Sequence, residues 1–198
     1  MRLRHGLFIL LVLFGIWRWW GSREIAHTPG QIAAETPEQT DIAGNPPHFE
    51  KNGYTLTGLA RFRMTARALA VEPYRLGREA DLSPVDVAFG WGPMSDSEVL
   101  SGITITQGGR FYHWHTAQFP IPRRQIELNS ANMHLIPANG EVERHMNGIH
   151  VGSIVELSGY LVEAKARDGW TWRSSLTRED TGNGACELIW VEALDVRR

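Results

Sequence analysis

The stretch YTLTGLARFRMTARALA, residues 54–70, carries the most regular pattern in the chain. Apolar side chains alternate along it with threonines and arginines. This period of two predicts a long strand with one buried face, because successive side chains of a strand point to opposite sides of the sheet. Gly58 predicts a bend near the start of the strand. We expect the arginines of the polar parity (Arg61, Arg63 and Arg67) to be solvated, with an anion-binding face as the alternative.

Further strands and short helices are predicted downstream. ITIT (103–106) and RFYHWH (110–115) flank a glycine-bearing turn and predict a hairpin, and NMHLIPA (132–138) predicts a buried strand. Three more strands are predicted within 150–164, 168–176 and 185–193, with a tight turn at Asp168-Gly169. Residues 141–147 have a helical pattern, and capping patterns at Ser83 and Ser95 predict two further short helices.

These elements predict the fold class. We expect one compact, β-rich α+β domain over residues 51–198, built from an antiparallel sheet or a small barrel with short helices. Within it, the pattern Gly152-x-x-Val155-x-Leu157-x-Gly159 resembles a strand of an OB-fold barrel. An OB-like barrel is therefore one form that the domain could take.

The first twenty residues, MRLRHGLFILLVLFGIWRWW, predict a membrane anchor. Basic residues precede an apolar run, and tryptophans with an arginine follow it, as at a membrane–water boundary. Arg2 and Arg4 place the amino terminus in the cytoplasm and the remainder in the periplasm. We therefore expect an uncleaved signal-anchor, a single transmembrane helix over residues 1–20. A cleaved signal peptide and a helix of a soluble protein are the alternatives.

Residues 21–50 hold four prolines and show no apolar periodicity. That composition predicts a flexible linker between anchor and domain. The alternative is an irregular arm packed on the domain.

Composition limits the classes of function. The net charge of −2 gives no sign of a nucleic-acid partner. The single cysteine, Cys186, excludes an internal disulfide and any site that needs several cysteines. A buried thiol is the favoured interpretation of this cysteine, ahead of an intermolecular disulfide and of a nucleophile activated by a histidine.

Three phrases carry a wider resemblance: SPVDVAFGWGPMSD, SANMHLIPAN and WRSSLTREDTGNGACE. They are similar to an uncharacterised group of short, membrane-anchored bacterial proteins. The resemblance implies a bacterial envelope protein, and the predicted anchor places it in the inner membrane. That group has no established activity, so no catalytic residue is carried over from it.

Histidines provide the main hint of an enzyme. His113 and His115 are two residues apart on a predicted strand and so share a face. Together with His134 they would supply the three nitrogens of a catalytic zinc site. The alternative is an ordinary mixed sheet face with His134 hydrogen-bonded in the core, and no cofactor is expected on that interpretation.

Two other features are candidate ligand sites. The polar segment 173–184 carries Arg173, Arg178 and Asp180 beside glycines, and such a loop can bind an anion. The alternative is a loop that satisfies its own polar groups. Trp91 stands between two glycines and is either a binding platform or an indole that closes one end of the sheet.

The favoured function is a non-enzymatic binding or assembly module of the envelope, held at the membrane by its anchor and acting on an envelope protein partner or an anionic ligand. The alternatives are a metal-dependent hydrolase that uses the three histidines and a structural subunit of an envelope complex.

Overall fold

The computed structural model describes residues 24–177 and 186–198. Within them the chain forms ten strands: β1 (Glu38–Asp41), β2 (His48–Lys51), β3 (Tyr54–Pro73), β4 (Val85–Gly90), β5 (Thr104–Gly108), β6 (Phe111–His115), β7 (Ser130–Pro137), β8 (Ile154–Ala166), β9 (Thr171–Arg173) and β10 (Glu187–Arg197). Short helices join some of these strands: α1 (Ser97–Ser101), α2 (Arg123–Leu128), α3 (Gly140–Met146) and two 3-10 turns at Arg78–Asp81 and Gly92–Ser95. The predicted β-rich α+β class is confirmed.

Five of the strands close a ring. β3, β4, β7, β10 and β8 pair in that order, and β8 pairs in turn with β3. β7 and β10 are parallel, whereas the other neighbours in the ring are antiparallel, so the sheet is mixed. β1 and β2 extend the sheet along β3, and β9 extends it along β8. β5 and β6 form a separate two-stranded hairpin.

The long strand β3 confirms the prediction from residues 54–70. Its register against β8 shifts between Gly58 and Ala60, which is the bend that the glycine predicted. The apolar parity points into the ring, where it packs with side chains from the other four strands. Members of this core from β3 and β4 include Phe62, Met64, Ala66, Val87 and Phe89.

Arg67 departs from its prediction. The side chain is 3% exposed and donates to the Ser95 carbonyl at 3.2 Å and to Ser97 Oγ at 2.8 Å. Arg61 and Arg63 are exposed, as expected. The expectation of a solvated arginine fails at Arg67 because the chain around the start of α1 packs on its guanidinium and accepts its hydrogen bonds.

The helix predicted after Ser83 is wrong. Residues 85–90 form the fully buried strand β4, and the Ser83 hydroxyl donates to the Val85 carbonyl at 3.1 Å rather than capping a helix. Val85, Val87 and Phe89 alternate toward the core, so strand periodicity outweighs the capping pattern. The helix predicted near Ser95 is confirmed as α1, although the capping side chain belongs to Asp96.

The segment before β3 also differs from the expected linker. β1 and β2 pair with β3, and Ala33 is 3% exposed, with its carbonyl accepting a bond from the Gly92 amide at 2.7 Å. Farther upstream, the Ile25 amide donates to the Val151 carbonyl. Residues 24–50 thus pack on the domain, as in the alternative of a packed arm, but β1 and β2 make part of that arm regular rather than irregular. The predicted anchor at residues 1–20 lies outside the described residues. Within residues 24–177 and 186–198, no helix is long and apolar enough to cross a membrane.

Candidate functional site

A buried charge cluster lies on the outer face of β4 and β7, beneath the β5–β6 hairpin. The Asp86 side chain is 1% exposed, and its Oδ1 lies 2.6 Å from Arg110 Nη1. His134 Nδ1 lies 2.9 Å from the same oxygen without the alignment of a hydrogen bond. Asp86 and His134 are direct neighbours in the β4–β7 register. The cluster therefore gathers one carboxylate, one guanidinium and one imidazole in a dry environment.

Arg110 is held in this cluster by the hairpin turn. Gly109 and Arg110 form the two-residue loop between β5 and β6, with φ of 59° and 72°. Positive φ at both positions is typical of a type I′ turn, and it is unfavourable for an arginine. The side chain contacts offset this cost: the guanidinium lies 3.8 Å from the Tyr74 ring centroid and donates to the Ser83 carbonyl at 3.1 Å.

The ion pair between Asp86 and Arg110 lies at the centre of the cluster, and Cys186 is close to it. The Cys186 thiol donates to the Arg110 carbonyl at 3.8 Å. Burial raises the pKa of the Cys186 thiol to about 11, so the reactive thiolate is scarce at neutral pH. Trp172 covers the imidazole of His134 at 4.8 Å between ring centroids. This arrangement fits the buried thiol better than the histidine-activated nucleophile.

The three candidate zinc ligands do not come together. His113 and His115 lie on the exposed face of β6, whereas His134 is 3% exposed under Trp172. Across residues 24–177 and 186–198, no three histidine, cysteine or carboxylate side chains are placed to hold a metal ion. In β6, Tyr112 and Trp114 pack toward the barrel, whereas His113 and His115 point away from it. The strand therefore separates the histidine pair from His134.

The other candidate ligand residues are dispersed. Arg173 is half-exposed on β9 and pairs with Glu163 at 3.2 Å. Arg178 and Asp180 lie outside the described residues. Trp91 is 1% exposed in the core of the ring, so its indole offers no surface to a ligand in this conformation. The flanking glycines allow this placement, since a Cβ at Gly90 would lie 2.3 Å from the Met94 carbonyl oxygen.

A groove of about 400 Å³ runs along the second half of β3. Residues 68–72 form its floor. Apolar side chains from α1, the start of the hairpin and the loop before β8 also line it, and we call them its apolar wall: Leu100, Ile103, Ile105 and Val151. All four are buried or half-buried beside the opening. Thr106 and Gln107 of the hairpin add polar groups to the lining. We call this feature the β3 groove.

The floor of the β3 groove is an unpaired strand edge. β8 pairs with β3 only as far as Arg67, and the last backbone bonds on that edge join Ala68 to residues 152 and 153. β4 pairs with the opposite edge as far as Pro73. No strand within residues 24–177 and 186–198 therefore pairs with the edge of Leu69–Pro73 that faces the groove.

Charge in the β3 groove is sparse and negative. Arg67 Nη2 lies 3.4 Å from Glu24 Oε1 at one end, and these two charges offset one another. Glu72 lines the other end and forms no ion pair with a described residue. The groove thus combines an apolar wall, a strand edge and one unbalanced carboxylate.

Neither the charge cluster nor the β3 groove was predicted from the sequence. A signal for the charge cluster was present, because Asp86 is the one charged residue in the apolar strand VDVAFG, which indicates a buried partner. No comparable signal marks the β3 groove, since it depends on where β8 begins. No protein-family model, no curated protein and no solved structure matches the chain.

Proposed function

We propose that the chain is a non-enzymatic binding module of the bacterial envelope, anchored in the inner membrane by residues 1–20 and facing the periplasm, and that it binds a protein partner through the β3 groove. The observation that carries the proposal is the unpaired edge of Leu69–Pro73, which is apolar from Leu69 to Val71. Natural proteins protect exposed strand edges with charges, prolines or a covering element. Glu72 and Pro73 stand at one end of this edge, whereas Leu69–Val71 carries neither a charge nor a proline.

We further propose that the five-stranded ring is an OB-type barrel. Numbered within the ring, its strands have the order 1-2-3-5-4-1, the third and fifth are parallel, and α3 lies between the third and fourth. OB-folds usually bind ligands on the face of their second and third strands. In this chain those strands are β4 and β7, and their outer face is covered by the hairpin and by Arg110. Binding through another surface, the β3 groove, fits that arrangement.

The position of the groove suits a membrane-anchored module. Glu24 lines the β3 groove, and only residues 21–23 separate it from the proposed anchor. Four peptide units span at most about 14 Å, so the groove would lie close to the membrane surface. A partner of such a module would be another protein of the envelope. The structural-subunit alternative predicts the same location without a dedicated groove occupant.

We expect reporter fusions to place the domain outside the cytoplasm. An alkaline-phosphatase-type reporter, active only after export, joined after Gly53 should be active, because Arg2 and Arg4 retain the amino terminus in the cytoplasm. The same reporter joined after Arg4 is the control and should be inactive. Activity of a cytoplasmic reporter after Gly53, with the exported one silent, would overturn the periplasmic location.

We expect the β3 groove to be occupied by a protein in the cell. A photo-crosslinking amino acid at Ile105, in the groove wall, should give a discrete adduct of the full chain in the membrane fraction after irradiation. The control position is Glu156, which is exposed on β8 and is not part of the groove. Equal adducts from both positions, or no adduct from Ile105, would contradict the proposed binding function.

A further inference from the structure

We infer that the β3 groove takes an extended segment of its partner, which adds to the barrel as a strand beside Leu69–Pro73. This inference rests on the proposed function and specifies the chemistry of the partner. Strand addition supplies affinity through main-chain hydrogen bonds and selectivity through alternate side chains. The groove offers both kinds of contact, a free edge on its floor and an apolar wall beside it.

The register shows which backbone groups face the groove. Hydrogen-bonded and non-hydrogen-bonded pairs alternate along an antiparallel ladder. The Tyr74 amide donates to the Pro84 carbonyl, and the register continues through Glu72 with Asp86 and Ala70 with Ala88. The backbone N–H and C=O groups of residues 70 and 72 therefore form their hydrogen bonds with β4. The N–H and C=O of Val71 point the other way, into the groove, where an incoming strand would meet them.

Side chains in the groove select the segment. Ile103 and Ile105 lie in the wall, so every second residue of the incoming strand should be apolar. Glu72 is the carboxylate that no described cation balances, and its position at one end favours a lysine or arginine at that end of the segment. The occupant is accordingly an extended stretch of a partner protein with alternating apolar residues and a flanking basic residue.

The decisive experiment is proline substitution at Val71, combined with photo-crosslinking from Ile105 in the full chain. Proline is tolerated on a strand edge whose N–H has no partner, and Val71→Pro removes the amide that faces the groove while leaving the bonds to β4. We expect the adduct yield to fall at least about tenfold, as for the loss of one or two hydrogen bonds at a binding edge. Val71→Ala keeps the amide and should retain the adduct.

A second pair of variants keeps the test valid if Val71→Pro fails to fold. Glu72→Lys leaves the backbone intact and should lower the adduct yield by repelling the basic residue, whereas Glu72→Gln should have a smaller effect. Melting of each purified variant by circular dichroism shows whether it is folded. Glu72 is half-buried and does not belong to the core of the barrel, so neither of its substitutions disturbs core packing.

The outcomes separate the inference from the proposed function. An adduct from Ile105 that persists in folded Val71→Pro and in Glu72→Lys overturns strand addition but leaves the binding function in place. An adduct of twice the chain mass means that a second copy fills the groove, and a crosslink mapped by mass spectrometry to residues 1–23 of the same chain means that this segment does so. Either result overturns the inference of a partner segment. The absence of any adduct in the unsubstituted chain overturns the proposed function itself.

Discussion

Replacing Arg110 with alanine is expected to lower the free energy of unfolding by about 3 kcal/mol, one of the two largest effects that we predict. Asp86 is 1% exposed, and Arg110 Nη1 lies 2.6 Å from its Oδ1. Among the described residues, Asp86 Oδ2 has no hydrogen-bond partner. Removal of the guanidinium would leave a carboxylate in a dry environment without its cation. Chemical denaturation of the purified full chain measures the change.

A matched control and a double-mutant cycle isolate the buried pair. Arg63 forms an ion pair with Glu38 at 3.2 Å, but its side chain is 63% exposed, so Arg63→Ala should cost no more than about 0.5 kcal/mol. Combining Arg110→Ala with Asp86→Asn should cost less than the sum of the single changes, because the double variant leaves no buried charge. A loss below about 1 kcal/mol in Arg110→Ala, or additive effects, would show that the pair is not desolvated as the geometry indicates.

Local patterns in the sequence predicted most of the elements. The alternation in residues 54–70, the glycine turn of the hairpin and the apolar runs of β7, β8 and β10 each report on neighbours within a few positions. The failure at Ser83 has the same origin. A serine followed by a proline and an acid is a common helix start, and the competing alternation of Val85, Val87 and Phe89 spans only five residues.

The ring and the candidate site depend on contacts between distant segments. β3 and β8 pair across about a hundred residues of chain, and β8 begins at Ile154, opposite Arg67. Because β8 begins there, the edge of Leu69–Pro73 has no partner strand. The position at which β8 begins depends in turn on the hydrogen bonds that join the loop before β8 to the arm and to β3. The histidine hypothesis depended in the same way on distant contacts, since parity places His113 and His115 together but cannot place His134 beside them.

The other large predicted effect concerns Gly159, a residue that the sequence marked only through its resemblance to a barrel strand. Gly159 lies in the middle of β8, between Phe62 of β3 and Val191 of β10. A Cβ at this position would lie 1.9 Å from the Trp190 carbonyl oxygen, where the register of β10 shifts between Val191 and Ala193. The clash is with backbone, which cannot rotate away as a side chain would.

Gly159→Ala should therefore lower the free energy of unfolding by about 3 kcal/mol or more, because relief of the clash requires β8 and β10 to separate in a ring that both strands help to close. The control is Gly140→Ala at the start of α3, where no atom lies within 4 Å of the added Cβ and stability should change by at most about 0.5 kcal/mol. Chemical denaturation of both variants provides the comparison. If Gly159→Ala is as stable as Gly140→Ala, then β8 and β10 are not in the close pairing on which the closure of the ring depends.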